Sequence, residues 1–275
     1  MPLTAGTFVE SGSLVPLRIL ALPTIITALW TAGCSQPVET GFLNRAIVDG
    51  DGVHRYQVFV PADYERGQSR ALILFLHGAD ERGTDGLRQT QAGLGSALRR
   101  TPERYPAIVV FPQGSSEALL WTEHEGDVAI RVLEDAQREF GTDPNRTYAT
   151  GLSRGGNAAW YLAYRYPDRF AALLVICGFI DLGHVAPAPV VPAQDGEPFS
   201  AVARTLRRLP TWVFHGDADP VVPVDQSRRL VAALREVGAP VRYTELAGAG
   251  HDVWDIAYGS EEVARWLFSQ RRPDP

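Results

Sequence analysis

The chain has 275 residues, a formal net charge of −6 and 45% hydrophobic residues, values typical of a globular protein that buries a sizeable core. The negative charge and the lack of any basic run argue against nucleic acid as a partner. All 26 basic residues are arginine, which excludes a Schiff-base lysine, a Ser–Lys dyad and a P-loop lysine.

The N-terminal segment is typical of an exported protein. Arg18 precedes an apolar run over residues 19–30, which is the layout of a secretory signal peptide and is short for a membrane span. The residues TAGC that end at Cys34 resemble a bacterial lipobox, although Thr31 stands where leucine is usual. We predict a signal peptide over residues 1–33 and Cys34 as a candidate lipidation site for membrane attachment. The expected location is periplasmic, secreted or membrane-anchored, and the alternative is a cytoplasmic protein with a leader segment.

A short linker over residues 34–41 is expected to lead into one domain over residues 42–270. The domain begins with FLNRAIV and HRYQVFVP, which flank the turn sequence DGDG and predict an antiparallel hairpin. Beyond it, short apolar runs alternate with amphipathic segments. Predicted strands lie at residues 71–78, 107–114, 146–151, 172–178, 211–216 and 241–246, and predicted helices at 86–100, 127–140, 154–166, 225–237 and 260–270.

This alternation predicts an α/β fold with a mostly parallel, doubly wound sheet that has helices on both faces. In such sheets ligands bind beyond the carboxyl ends of the strands, so functional residues are expected just after the strands. The proline-rich residues 184–200 predict a loop over this edge, either a partial lid or a plain surface excursion.

The sequence GLSRG at residues 151–155 fits the pattern G-x-S-x-G and has a strand before it and a helix after it. Glycines here would permit a strand-to-helix turn so sharp that side chains on either side would collide with neighbouring elements. The turn would present the Ser153 hydroxyl at a helix N-terminus, where the dipole favours developing negative charge. We predict that Ser153 is a nucleophile, and the alternative is a structural Gly-Ser turn.

A serine nucleophile needs a base, and His251 is the best of the six histidines because it follows the last predicted strand among small residues. His77 and His215 each end a strand and are expected to bond nearby backbone. An acid that orients His251 should follow the strand before last, where HGDADPVVP supplies Asp217 and Asp219. Spacing alone does not choose between these two carboxylates.

Four motifs in this order, HGADERG, GLSRGGNAAW, HGDADPVVP and GHDVWDIAY, resemble α/β-hydrolase esterases related to polyhydroxybutyrate depolymerases, feruloyl esterases and predicted peptidases. The resemblance spans roughly residues 42–270 and implies the α/β-hydrolase fold. It also implies that the acid is Asp219, the fifth position of H-G-x-x-D-x-x-V-P, and that Asp217 is a turn residue. The expected triad is therefore Ser153, Asp219 and His251.

The oxyanion of an acyl-transfer intermediate needs two preorganised donors. One should be the backbone N–H of Arg154, directly after the nucleophile, and the resemblance implies the N–H of Ala79 as the other. Related sequences often have glycine at the position of Asp80. Glu81 and Arg82 are expected to bond neighbouring loops, with substrate recognition as the alternative. Trp121 is a candidate substrate-binding aromatic, with core packing as the alternative.

These residues predict a metal-independent serine hydrolase that cleaves carboxylic esters through an acyl-enzyme and needs no cofactor. The expected partner is a small-molecule or polymeric ester. The alternatives are a small-peptide hydrolase that uses the same triad and a non-catalytic binding protein of the same fold. Cys34 and Cys177 provide neither a disulfide framework nor a metal site, and Cys177 is expected to be a buried small hydrophobe.

Overall fold

A computed structural model describes residues 38–115, 120–121, 123–182 and 197–272 of the chain. The candidate signal peptide, Cys34 and most of the proline-rich segment lie outside the described residues. In the described part, eight strands form one sheet in the order β1-β2-β4-β3-β5-β6-β7-β8. The strands are β1 Gly41–Asp49, β2 Gly52–Val60, β3 Ala71–Leu76, β4 Ala107–Pro112, β5 Thr147–Leu152, β6 Ala172–Ile176, β7 Thr211–Gly216 and β8 Val241–Leu246.

The sheet is mostly parallel, with antiparallel pairing confined to its N-terminal edge. The predicted hairpin is present, since β1 pairs with β2 in a register that places Asp49 opposite Gly52. β2 then runs antiparallel to β4, and all the remaining pairs are parallel. The continuous apolar runs correspond to strands that are covered on both faces, as expected. Every residue is buried in β3, β4, β5, β6 and β7.

Helices cover both faces of the sheet. They are α1 Leu94–Arg100, α2 His124–Phe140, α3 Arg154–Arg165, α4 Pro198–Thr205, α5 Asp225–Glu236, α6 Trp254–Gly259 and α7 Glu261–Ser269. Leu72, Leu74 and Leu76 pack in one cluster with residues from α2, α3, α4 and α5. Ile73 and Phe75 point the other way into a second cluster with residues from α1, α6 and α7. This is the doubly wound α/β arrangement that the sequence predicts.

The structure differs from the sequence-based expectation in three segments. The helix expected over 86–100 is a 3-10 turn at Arg88–Thr90 followed by α1, because Gly86 and Gly93 adopt φ values of +72° and +58° that interrupt a helix. Helix α4 begins within a stretch expected to be loop, and α6 was not anticipated. No helix in the described ranges combines the length and the hydropathy that crossing a membrane requires.

Candidate active site

Ser153 occupies a strained turn between β5 and α3. Its φ and ψ are 54° and −119°, a conformation that non-glycine residues rarely adopt and that costs about 1–3 kcal/mol. The backbone N–H of Ser153 donates to the carbonyl of Ile176 at 2.9 Å, which ties the turn to β6. The Ser153 side chain makes no capping bond to α3, so its hydroxyl is available to other groups.

The glycines around Ser153 allow close approach of backbone segments. A Cβ on Gly155 would overlap the carbonyl oxygen of Leu76, and one on Gly151 would overlap the carbonyl oxygen of Gly155. A Cβ on Gly156 would lie 2.7 Å from the Cα of Gly178. The sequence-based expectation of collisions with neighbouring elements is therefore confirmed.

The structure brings Ser153, His251 and Asp219 together. His251 Nε2 lies 2.9 Å from Ser153 Oγ, and His251 Nδ1 lies 2.7 Å from Asp219 Oδ2. The other carboxylate oxygen of Asp219 accepts the backbone N–H groups of Val221 and Val222 at 2.8 and 2.9 Å. Chemically, this arrangement can take a proton from the serine hydroxyl and stabilise the imidazolium that results.

The structure also distinguishes the two candidate carboxylates. Asp217 Oδ1 accepts the N–H of Gly248 at 2.6 Å and so holds the turn after β8 against the turn after β7. The N–H of Ala218 donates to the carbonyl of Ala249 at 3.0 Å across the same two turns. These contacts hold the segment between β8 and His251 in place, and Asp219 bonds the imidazole of His251.

Trp254 contacts His251 edge-on. Its ring centroid lies 5.6 Å from that of His251, at an interplanar angle of 89°. Trp254 also packs against the second core cluster, so the indole supports the imidazole from α6.

Asp219 is held as an anion. Burial raises the pKa of its carboxyl, but the hydrogen bonds from His251, Val222 and Val221 outweigh burial, and the pKa lies below its ordinary value. The side chain of Asp219 is completely buried. A buried carboxylate with its acceptor sites filled is a fixed partner for the imidazole.

The two candidate oxyanion donors follow β3 and β5, Ala79 on the loop after β3 and Arg154 at the start of α3. Arg154 is the first residue of α3, so its N–H points out of the N-terminal end of the helix. The loop that carries Ala79 is held by side chains: Arg82 Nε donates to the carbonyl of Ala79 at 2.7 Å, and Gln113 Nε2 donates to the carbonyl of Glu81 at 3.2 Å. Arg82 therefore bonds its own loop, whereas the sequence led us to expect a bond to a neighbouring loop, and sequence reasoning missed the contribution of Gln113.

His77 fixes the start of the same loop. Its Nε2 accepts the N–H of Gly114 at 2.9 Å, and its Nδ1 lies 2.7 Å from the carbonyl of Gly78. The imidazole is therefore neutral with the proton on Nδ1. Burial lowers the pKa of His77 to about 4. The expected structural role, in which the side chain bonds nearby backbone, is confirmed.

The buried neutral state of His77 predicts a loss of stability in mild acid. The pKa of His77 is about 4 in the folded protein and 6.5 for an ordinary histidine, so the unfolded chain binds the proton first as the pH falls. The stabilisation is complete above about pH 6.5 and lost between about pH 6.5 and 4, a change of about 3 kcal/mol.

The free energy of unfolding, measured with urea at several pH values in this range, should fall less steeply with decreasing pH for His77→Gln than for the wild type. The side-chain oxygen of glutamine can still accept the Gly114 N–H. The matched change at half-exposed His124 should leave the slope as in the wild type. Equal slopes for wild type and His77→Gln would contradict this role.

Trp121 does not line an open cleft in the structure. Its side chain is 1% exposed, and its ring lies 4.7 Å from that of His77 in an edge-on contact. Its Nε1 donates to the carbonyl of His77 at 3.3 Å. These contacts favour the core-packing alternative for Trp121, since the indole holds the end of β3 in the core.

Cys177 lies beside Asp219 and His251, but its thiol is unreactive. It is fully buried with φ of 41°, and its Sγ lies within 4.8 Å of ligand atoms of Asp219 and His251. Burial raises the pKa of the Cys177 thiol, so the thiolate that would bind a metal or act as a nucleophile does not form. The carboxylate and imidazole are engaged with each other. The expectation of a buried small hydrophobe is confirmed.

We therefore expect Cys177 to resist alkylation in the native protein. Iodoacetamide at pH 8 should leave the Cys177 peptide unmodified until the chain is unfolded in denaturant, and peptide mapping by mass spectrometry would show this without interference from Cys34. Modification of native Cys177 at the rate of a free thiol would contradict the assignment.

His54 and His124 contact each other and residues of the hairpin, and His184 lies outside the described residues. His54 bonds Asp49 within the hairpin at 3.0 Å, and the ring of His124 lies 5.6 Å from that of His54. His184 falls in the part that the structure does not describe.

Comparisons with known proteins point to the same family as the motifs. The model of the Esterase family, described as "Putative esterase", matches residues 52–269. Feruloyl esterase C of Emericella nidulans is 24% identical in a match of 290 positions. The match covers 94% of this chain and 96% of that protein. A solved structure described as a thermostable esterase has a TM-score of 0.72 and 31% identity, and the match covers 84% of this chain and 63% of that one.

Other relatives are much longer than the part that matches. The match covers 21% of a secreted protein of Arthroderma benhamiae, and 25% of a poly(3-hydroxybutyrate) depolymerase of Ralstonia pickettii at 28% identity over 125 residues. The predicted fold and family are confirmed by the sheet topology and the family match together. The chain belongs to the Esterase family and has the α/β-hydrolase fold.

Proposed function

We propose that this chain is a carboxylic ester hydrolase in which Ser153 is the nucleophile, His251 the general base and Asp219 the group that orients His251. The observation that carries the proposal is the unbroken chain of hydrogen bonds from Ser153 Oγ to His251 at 2.9 Å and from His251 to Asp219 at 2.7 Å. A binding role alone does not require this order of groups at the carboxyl edge of the sheet.

In this mechanism Ser153 Oγ attacks the ester carbonyl while His251 Nε2 takes its proton. The N–H groups of Ala79 and Arg154 stabilise the oxyanion of the tetrahedral intermediate, each worth about 10²–10³ in rate. His251 then protonates the leaving alkoxide, and the acyl group stays on Ser153. A water molecule, deprotonated by His251, attacks the acyl-enzyme, and the acid product leaves with the serine hydroxyl restored.

The proposed triad is compatible with the hydrolysis of esters and of amides. A small-peptide hydrolase would use the same three residues on an amide, and several structural neighbours are peptidases, although at 16–17% identity they share only the fold. The names of two relatives, feruloyl esterase C and a poly(3-hydroxybutyrate) depolymerase, favour an ester as the substrate. We therefore place ester hydrolysis first.

A panel of esters and amides tests this assignment. Nitrophenyl esters from acetate to long acyl chains, methyl ferulate and the matched nitroanilides would be assayed with the wild-type protein and with Ser153→Ala as the blank. We expect kcat/KM to be higher for each ester than for the amide of the same acyl group, with a nitrophenolate burst equal to the enzyme concentration. Faster amide cleavage would support the peptidase, and no turnover of any ester would support a binding protein.

We also propose that the protein is exported. The signal-like segment before Cys34 supports this, and one relative is described as a secreted protein. Mass spectrometry of the mature N-terminus tests it: a chain that begins near Cys34 agrees with export, and acyl groups on that cysteine would identify a lipoprotein. A chain that retains Met1 in the cell would contradict it.

A further inference from the structure

We propose that His215 is a positioning residue that acts through Asp219, and that Ser227 orients the His215 ring by donating to its Nδ1. The inference rests on the proposed function, because it concerns the carboxylate that orients His251. Sequence reasoning expected His215 only to bond nearby backbone.

The contacts of His215 define its proton. The imidazole is fully buried at the end of β7, and its Nε2 lies 3.2 Å from Asp219 Oδ2 and 3.0 Å from the carbonyl oxygen of Val222. Both neighbours are acceptors, so Nε2 carries the hydrogen; it donates to the carbonyl oxygen of Val222 and lies beside the carboxylate of Asp219. His215 Nδ1 lies 2.7 Å from Oγ of Ser227, in the first turn of α5, and therefore accepts the hydroxyl proton.

Asp219 is thereby held on both oxygens. Oδ1 accepts the N–H groups of Val221 and Val222, and Oδ2 lies within hydrogen-bond distance of both His251 and His215. Rotation of the carboxylate about its Cβ–Cγ bond would break bonds on both sides at once. His215 thus fixes the oxygen that His251 uses, in the manner of the outer partners that orient ligands in other sites.

The neutral state of His215 is part of this arrangement. Burial lowers the pKa of His215, although its contacts with Val222 and Asp219 act in the opposite direction. A neutral donor leaves the full negative charge of Asp219 for the imidazolium that forms on His251, whereas a second cation at 3.2 Å would compete for that charge.

The experiment compares four variants on one ester. His215→Leu removes the donor at similar volume, and His215→Gln restores an N–H near the Nε2 position. Ser227→Ala removes the hydroxyl that donates to His215 Nδ1, and His124→Gln is the control for a histidine change at a half-exposed site. Kinetics would be read as separate kcat and KM values on protein whose fold is verified by circular dichroism.

We expect His215→Leu to lower kcat about 10- to 100-fold with KM unchanged, His215→Gln to recover most of that loss, and Ser227→Ala to lower kcat several-fold. Wild-type kcat in His215→Leu, or no recovery in His215→Gln, would overturn the proposal. If His215→Leu does not fold, Ser227→Ala decides: wild-type kcat in that variant overturns the role of the pair. A Ser153→Ala arm separates the claims, because activity that survives there refutes the proposed function itself.

Discussion

Replacing Ser153 with alanine is expected to lower kcat/KM for ester hydrolysis by about 10⁴-fold or more, a loss of at least about 5 kcal/mol of transition-state stabilisation. In the proposed mechanism the hydroxyl oxygen forms the acyl bond, and alanine has no atom that can take its place. The thiol of Cys177 lies nearby but stays protonated, because burial raises its pKa.

The same change should leave the fold intact. Ser153 makes no capping bond to α3, and alanine keeps the Cβ that serine already carries at φ of 54°. Thermal unfolding should therefore place the Tm of Ser153→Ala close to that of the wild type. Ser153→Gly provides a matched control, since it removes the hydroxyl and also relieves the backbone strain, and it should be equally inactive and slightly more stable. Activity within tenfold of the wild type in either variant would refute the assignment.

Gly155→Ala is expected to destabilise the protein by at least about 3 kcal/mol or to prevent folding. The added methyl would overlap the carbonyl oxygen of Leu76 and lie 2.7 Å from the carbonyl oxygen of His77. Both contacts are backbone atoms at the end of β3, so no side-chain rotation can relieve them, and α3 would have to move away from the sheet. Urea unfolding of purified protein, or the soluble yield where none is obtained, measures the effect.

Gly259→Ala is the control for this substitution. Gly259 ends α6 with no atom within 4 Å of its added Cβ, and the same chemical change there should alter the free energy of unfolding by less than about 1 kcal/mol. A Gly155→Ala protein as stable as Gly259→Ala would mean that the turn around Ser153 is looser than the structure describes.

The turn and its partners could be predicted from sequence because each depends on a local pattern. A glycine-flanked serine between a strand and a helix has few structural solutions, and the parallel sheet brings the carboxyl ends of its strands to one edge. That edge is where Ser153, Asp219 and His251 meet. The apolar runs also predicted the buried strands, because both faces of those strands are covered.

Other features depend on contacts between distant segments and could not be predicted from a local pattern. Spacing alone does not choose between Asp217 and Asp219; the family resemblance implied Asp219, and the packing of two turns against each other places Asp217 on Gly248 and Asp219 on His251. Trp121 follows a strand like a residue at a cleft, yet it is buried against His77. His215 contacts Asp219, four residues later in the chain, because the chain turns between them.

The central claim is that Ser153 carries the acyl group, and covalent labelling tests it most directly. The active protein would be treated with a fluorophosphonate and analysed by intact mass and peptide mapping. We expect one adduct per chain, located on Ser153, with its formation abolished in Ser153→Ala and much slower in His251→Ala. An enzyme that hydrolyses esters yet forms no adduct, or that forms it on another residue, would contradict the account.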